Sequence, residues 1–151
     1  MIQRIQSLYL LLVTILMGVT LLTPLAIFKD SQGIFLELNC SGISLDGQNV
    51  FHTWGILSIT GLIAILSFFS IFMFRHRRKQ MSFCIINIIL ILFLYATIAV
   101  YSYFGQEELN ITLEGLQYGL VLPVVALIFT VLALIKIKAD DKLVRSLDRI
   151  R

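Results

Sequence analysis

The sequence predicts an all-α integral membrane protein, a bundle of four transmembrane helices that forms one domain over residues 1–151. Two observations predict this class. Hydrophobic residues make up 58% of the 151 residues and charged residues only 14%, whereas soluble domains are about 45–50% apolar and about 25% charged. The apolar residues are also gathered in four long runs without Lys, Arg, Asp, Glu or His. These predicted spans are residues 5–28, 53–74, 80–105 and 115–135.

Each run has the length and the uniform character of a membrane span. At 1.5 Å per residue, about 20 residues cross the roughly 30 Å hydrocarbon core of a bilayer. None of the runs has the recurring polar face of a helix from a soluble protein. The first run is too long for the core of a secretory signal and lacks a convincing cleavage site. We therefore interpret it as an uncleaved first helix, with Pro24 near its outer end.

The basic residues predict the orientation of these spans. Eleven of the twelve precede the first run, fill the connection at residues 75–79 or follow the fourth run, and with three acidic residues they give this side a net charge of +8. The other side has Lys29 and six acidic residues, a net charge of −5. The positive-inside rule assigns the basic side to the cytoplasm, so both termini are predicted to be cytoplasmic.

The first outer loop, residues 29–52, is predicted to form a small β-hairpin-like cap of two or three strands. The turn pair Asp46-Gly47 separates short apolar segments within it, which is a hairpin signal. The second outer loop, residues 106–114, is short and acidic. Both loops either connect helices only or form a face that binds a partner.

The tail, residues 138–151, is predicted to form a short amphipathic helix with Asp140 as its N-cap. Such a helix either lies on the inner leaflet or docks a cytoplasmic partner. The basic residues near the inner face are expected to contact anionic phospholipids or that partner. They are Arg75, Arg77, Arg78, Lys79, Lys142, Arg145 and Arg149.

Small and polar residues inside the spans are predicted to serve helix packing. Small residues allow helix backbones to approach closely, and an amide in lipid needs a hydrogen-bond partner on another helix. A proline within the fourth run is expected to kink that helix. The predicted packing residues are Gly55, Ser58, Gly61, Asn87, Gly115, Gly119 and Pro123.

The sequence offers little chemistry. Cys40 and Cys84 lie on opposite sides of the predicted membrane and therefore cannot form a disulfide. The spacing of cysteine and histidine does not suit zinc, and we find neither a phosphate-binding loop nor a nucleophile elbow. The spans contain no ionisable residue of the kind that marks proton and ion paths. We expect no catalytic, cofactor or metal site and no nucleic-acid partner.

The two ends of the chain, Met1–Leu11 and Ile137–Arg151, resemble those of an uncharacterised family of small inner-membrane proteins of the Bacteroidota, the family of domain of unknown function 4293. The similarity extends over the whole chain and includes Leu122-Pro123 in the fourth run. It implies a bacterial inner membrane, with the outer loops facing the periplasm. It implies no activity.

Two functions remain as expectations. The first is a non-enzymatic accessory or scaffold subunit of a larger inner-membrane assembly, with a membrane-protein partner or a second copy of the chain. The alternative is a small transporter or channel subunit with a polar path near Asn87, Tyr95 and Thr130. A lipid-processing enzyme ranks last, because it would need Cys40, His52 and the outer acidic residues to converge on one pocket.

Overall fold

The computed structural model of the protein describes residues 3–45, 48–73 and 77–148. Within these residues the chain forms four helices and five strands. The helices are α1 (Gln3–Leu22), α2 (Trp54–Phe72), α3 (Arg77–Leu109) and α4 (Val121–Asp148). The strands are β1 (Ala26–Lys29), β2 (Phe35–Leu38), β3 (Gly42–Leu45), β4 (Gln48–His52) and β5 (Thr112–Leu116). A single 3-10 turn, Tyr118–Leu120, leads directly into α4.

The prediction of an all-α bundle with a hairpin-like cap is wrong, because the strands form one five-stranded antiparallel sheet. Its order is β4-β3-β2-β1-β5. The predicted hairpin corresponds to β3 and β4, where Leu45 pairs with Gln48, while the turn residues 46–47 lie outside the described residues. The first outer loop contributes three of the strands, and β1 uses residues assigned to the first span. The second outer loop continues into β5, which pairs with β1.

The end of the first helix explains part of this error. The predicted span reached residue 28, but α1 ends at Leu22 and residues from Ala26 onward form β1. Pro24 disfavours a helical conformation in the residue before it. Ala26 and Phe28 are buried by the sheet and its neighbours. An apolar run alone does not distinguish a buried strand from a continued helix.

The third helix is longer than a bilayer requires, and its far end supports the sheet. The 33 residues of α3 span about 50 Å at 1.5 Å per residue, against a hydrocarbon core of about 30 Å. Gly105 is buried beneath the sheet, and a Cβ atom built there would lie 2.6 Å from Cδ1 of Ile43 on β3. The rings of Phe51 and Tyr101 pack edge to face with centroids 6.3 Å apart. We call the five-stranded sheet, together with the part of α3 from Tyr101 to Leu109, the sheet end.

All four helices are long and apolar enough to cross a membrane. Helix α1 packs against α2 and α4, and α3 also packs against α2 and α4. Only 28% of each apolar window is buried inside the protein, and the outer helix faces carry exposed Leu, Ile, Val and Phe side chains. Helices with such extensive apolar outer faces are typical of a membrane protein.

The fourth helix differs from its prediction at both ends. Gly115 lies in β5, so the spacing from Gly115 to Gly119 does not lie on a helix. Pro123 is the third residue of α4, where the N–H that proline lacks has no intrahelical acceptor. At the other end, α4 continues without a break to Asp148, so the predicted separate tail helix is part of α4. Asp140 is therefore not an N-cap.

Candidate functional site

A hydrogen-bonded contact between the start of α1 and the end of α4 joins the two ends of the chain. The side-chain amide of Gln6 donates through Nε2 to Oδ2 of Asp140 over 2.8 Å. Both side chains are buried, with exposed fractions of 5% and 7%. Arg77, the first residue of α3, donates through Nη1 to the main-chain carbonyl oxygen of Asp140 over 2.9 Å. These bonds hold the starts of α1 and α3 against the last turns of α4.

Basic residues surround this contact, and we call this region the basic end. Arg78, Lys79 and Lys142 are exposed, whereas Arg77 is tied to α4. Of the other predicted inner-face residues, Arg75 and the side chains of Arg145 and Arg149 lie outside the described part of the chain. The exposed cations are the groups that anionic headgroups attract.

A polar contact between α2 and α3 lies inside the predicted spans. Asn87 donates through Nδ2 to the hydroxyl oxygen of Ser67 over 2.7 Å, and both side chains are fully buried. The other amide atom, Oδ1 of Asn87, has no hydrogen-bond partner among the described residues. Nearer the basic end, Gln80 donates through Nε2 to the carbonyl oxygen of Ser70 over 3.2 Å. Helices α2 and α3 are thus joined by side-chain hydrogen bonds at two levels.

The other residues of the predicted polar path have backbone partners. The hydroxyl of Tyr95 donates to the carbonyl oxygen of Leu120 over 2.6 Å, which anchors the turn before α4 to α3. The hydroxyl of Thr130 donates to the carbonyl oxygen of Ala126 in its own helix over 2.8 Å. Asn87 and Tyr95 are separated by about 12 Å along α3 at 1.5 Å per residue. The structure does not bring the three side chains together in one hydrogen-bond network.

The predicted small packing residues fall into two groups. Gly55 faces the ring of Tyr101, and Gly119 faces the main-chain carbonyl of Pro24, so both lie at close approaches. A Cβ atom at Gly61 or Gly115 would meet no atom within 4 Å. Ser58 is exposed and donates to the carbonyl oxygen of Trp54 in its own helix.

The cysteines are free and buried. The thiol of Cys40 lies in the turn between β2 and β3 and donates to the carbonyl oxygen of Thr20 over 3.3 Å. Burial raises the pKa of Cys40 from 9.0 to about 11, against a smaller opposing effect from the hydroxyl of Thr60. Across the described ranges, no group of three or more His, Cys, Asp or Glu side chains is arranged to hold a metal ion.

One family model, described as Domain of unknown function (DUF4293), matches residues 2–150 of the chain. The chain belongs to the DUF4293 family. The family resemblance of its two ends is therefore confirmed over nearly the full length. No curated protein matches the chain.

Sequence reasoning missed the contacts that three side chains make in this DUF4293 protein. Gln6 and Asp140 pair although they are 134 residues apart. Only the presence of a single amide within the apolar run of residues 5–28 could have drawn attention to Gln6. Thr53 is fully buried and donates through Oγ1 towards the carbonyl oxygens of Asn39 and Cys40, at 3.2 and 3.1 Å. It ties the start of α2 to the turn between β2 and β3.

We expect Cys40 of this DUF4293 protein to resist thiol reagents. With a pKa of about 11 instead of 9.0, the thiolate fraction at pH 8 falls about a hundredfold, and the thiolate is the reactive form. Burial of the sulfur slows the reaction further. Labelling with a small maleimide at pH 8, followed by mass spectrometry of the intact protein, measures the rate.

The matched control for Cys40 moves the thiol by one residue. In the double variant Cys40→Ser, Ser41→Cys the new thiol is at an exposed position of the same turn, and it is expected to react about as fast as a free thiol. Equal labelling rates of Cys40 and the relocated thiol in the folded protein would contradict the assigned burial.

Proposed function

We propose that this DUF4293 protein is a non-enzymatic integral protein of a bacterial inner membrane and acts as an accessory or scaffold subunit of a larger membrane assembly. The observation that carries the proposal is the sheet end, because its five strands form a platform on α3 with an exposed strand at each edge. Such a platform is suited to binding another protein.

The charge of the two ends supports an orientation with both termini in the cytoplasm. The basic end contains the start of α1, the start of α3 and the end of α4, and its loops and termini have a net charge of +8. The segments of the sheet end have a net charge of −5. The positive-inside rule then favours a sheet end in the periplasm and a basic end against the anionic inner leaflet.

The polar side chains within the helices favour a structural role over a transport role. The amide of Asn87 is bonded to Ser67, and the hydroxyls of Tyr95 and Thr130 are bonded to carbonyl oxygens. A path for a polar solute needs a row of polar groups that remain available to the solute. These contacts instead hold helix to helix, or satisfy a hydroxyl within its own helix.

The edge strand β5 is the part of the platform that we assign to a partner. One side of β5 pairs with β1, and no other described strand pairs with its second side. Its side chains include Leu113 and Leu116, which are 47% and 66% exposed. Exposed edge strands accept an added strand through main-chain hydrogen bonds, and apolar side chains strengthen such pairing.

Co-purification from native membranes tests this proposal. We expect the protein, extracted in mild detergent, to bring down a reproducible membrane partner that mass spectrometry identifies. The double variant Leu113→Lys, Leu116→Lys places two charges along β5 and is expected to reduce partner recovery about fivefold or more, because lysines on an edge oppose strand addition.

The control places the same charges on the opposite edge. The double variant Gln48→Lys, Asn49→Lys changes two exposed residues of β4 and is expected to leave recovery unchanged. A strictly monomeric particle without a reproducible partner would contradict the scaffold role. Equal recovery with both double variants would contradict the assignment to β5.

A further inference from the structure

A cavity of about 190 Å³ lies at the sheet end, between the sheet and the last turn of α3. Six of its lining residues are aliphatic: Ile34, Leu36, Leu45, Val50, Leu109 and Ile111. It forms because α3 extends to Leu109 before Asn110, at φ 51°, turns the chain back towards β5. The sheet packs tightly on α3 at Gly105, and the cavity lies past that contact, towards Leu109 at the end of α3.

Among the residues that the structure describes, one charged residue lines this cavity. It is Asp30, which directly follows β1 and carries a carboxylate. Both hydrogen bonds that this carboxylate accepts from described residues come from Ser31, through its main-chain N–H at 2.6 Å and its hydroxyl at 3.1 Å, and both reach Oδ1. Neither donor is charged, so Ser31 leaves the negative charge of Asp30 uncompensated.

The nearest cation along the chain is directed elsewhere. Successive side chains of a strand point to opposite faces, and the ammonium of Lys29 lies 5.6 Å from the ring centroid of Phe35, on the other face of the sheet. Lys29 is the only Lys or Arg of the sheet-end segments 29–52 and 106–114. Glu107 and Glu108, in the last turn of α3, are exposed and add negative charge beside the lining residue Leu109.

We propose that this cavity binds a small organic cation that has an apolar body and a single ammonium group. The volume suits one aromatic ring or a short alkyl chain, since an apolar cavity of about 150 Å³ holds benzene. The aliphatic lining would bury the apolar body, and Asp30 would pair with the ammonium. The negative net charge of this side would raise the local concentration of cations and disfavour anions.

Three probes of similar size but different charge test the proposal: benzylammonium, benzyl alcohol and benzoate. The full-length protein is placed in nanodiscs of zwitterionic phosphatidylcholine, and binding is measured by ligand-observed NMR with empty nanodiscs subtracted. We expect benzylammonium to bind about fivefold more tightly than benzyl alcohol, the contribution of a partly exposed ion pair. Benzoate should bind most weakly, and added salt should reduce the differences.

Variants of two carboxylates distinguish an ion pair with Asp30 from a general effect of the negative charge of the sheet end. Asp30→Asn is expected to weaken the binding of benzylammonium about fivefold, because the ion pair is lost. The binding of benzyl alcohol should be unchanged. Glu37→Gln removes an equal charge from the same sheet, but Glu37 is exposed on the opposite face from buried Leu36 and Leu38, so no loss is expected. Equal losses in both variants would overturn the role of Asp30.

A filling variant locates the binding. Val50→Trp adds bulk at a lining residue that is 52% exposed, and it is expected to abolish binding of both benzylammonium and benzyl alcohol. Its thermal unfolding midpoint, compared with that of the parent protein, shows whether the fold is retained. Undiminished binding in a folded Val50→Trp protein would overturn the proposal, as would equal affinity for the three probes or no binding above that of empty nanodiscs.

Discussion

Replacing Gly119 with alanine is expected to lower the free energy of unfolding by about 2 kcal/mol, within the range for added bulk in a packed interior. Gly119 is buried in the 3-10 turn before α4. A Cβ atom there would collide with the main-chain carbonyl oxygen of Pro24 and lie 2.8 Å from Oγ1 of Thr23. The backbone of Pro24 cannot rotate away as a flexible side chain can, so the added methyl group requires the chain itself to move.

The surrounding hydrogen bonds make that movement costly. The N–H of Gln117 donates to the carbonyl oxygen of Leu25 over 3.0 Å, immediately beside the collision, and the pairing of β1 with β5 begins at the next residue, Ala26. The bond from Tyr95 to the carbonyl oxygen of Leu120 holds the turn from the other side. A shift that relieves the collision therefore weakens at least one of these contacts.

The two buried cysteines provide the measurement for this variant. A dye that fluoresces on reaction with thiols reports unfolding on heating, because Cys40 and Cys84 are both inaccessible in the folded protein. Gly61→Ala is the matched control, since a Cβ atom at Gly61 meets no atom within 4 Å and alanine favours a helix over glycine by up to about 1 kcal/mol. The midpoint of thermal unfolding should fall for Gly119→Ala and should stay the same or rise for Gly61→Ala. The opposite order would contradict the close approach of the turn to Pro24.

The helices could be predicted from the sequence because their signal is local. Long uncharged runs and a one-sided charge distribution are properties of neighbouring residues, and four helices of the required length and apolarity follow them. Asn87 was recognisable as a residue in need of a partner, because a buried amide without one is costly. Its partner Ser67 was not predictable, because that depends on how α2 and α3 are rotated against each other.

The sheet and the contact between the two ends of the chain could not be predicted in the same way. The pairing of Phe28 with Leu113 joins residues far apart in the chain, and neither short segment shows this in its own pattern. Phe28 falls within the predicted first span because a residue buried in a sheet and one buried in lipid are equally apolar. Asp140 lies in a charged, amphipathic segment, where an N-cap was a reasonable interpretation, and only the packing of α1 against α4 reveals Gln6 as its partner.

Replacing Gln6 with leucine is expected to destabilise the protein by about 2 kcal/mol, because Asp140 then remains buried without its donor. The bond between the two side chains is 2.8 Å long, and the contact of Arg77 reaches the main-chain carbonyl of Asp140 and not its carboxylate. Arg77 therefore does not replace the lost donor. Asp140→Asn should cost less, since the new amide retains an oxygen that accepts from Gln6.

A double-mutant cycle distinguishes this pair from two independent buried residues. Replacing both partners of a buried hydrogen bond with apolar groups of similar shape is often nearly neutral, so Gln6→Leu, Asp140→Leu should be more stable than Gln6→Leu alone. Gln106→Leu is the matched control, because Gln106 donates only within its own helix, to the carbonyl oxygen of Ser102 over 3.1 Å. It should change stability by less than about 0.5 kcal/mol. If the costs of the Gln6 and Asp140 substitutions add, the two side chains are uncoupled, and α1 and α4 do not depend on this bond at the basic end.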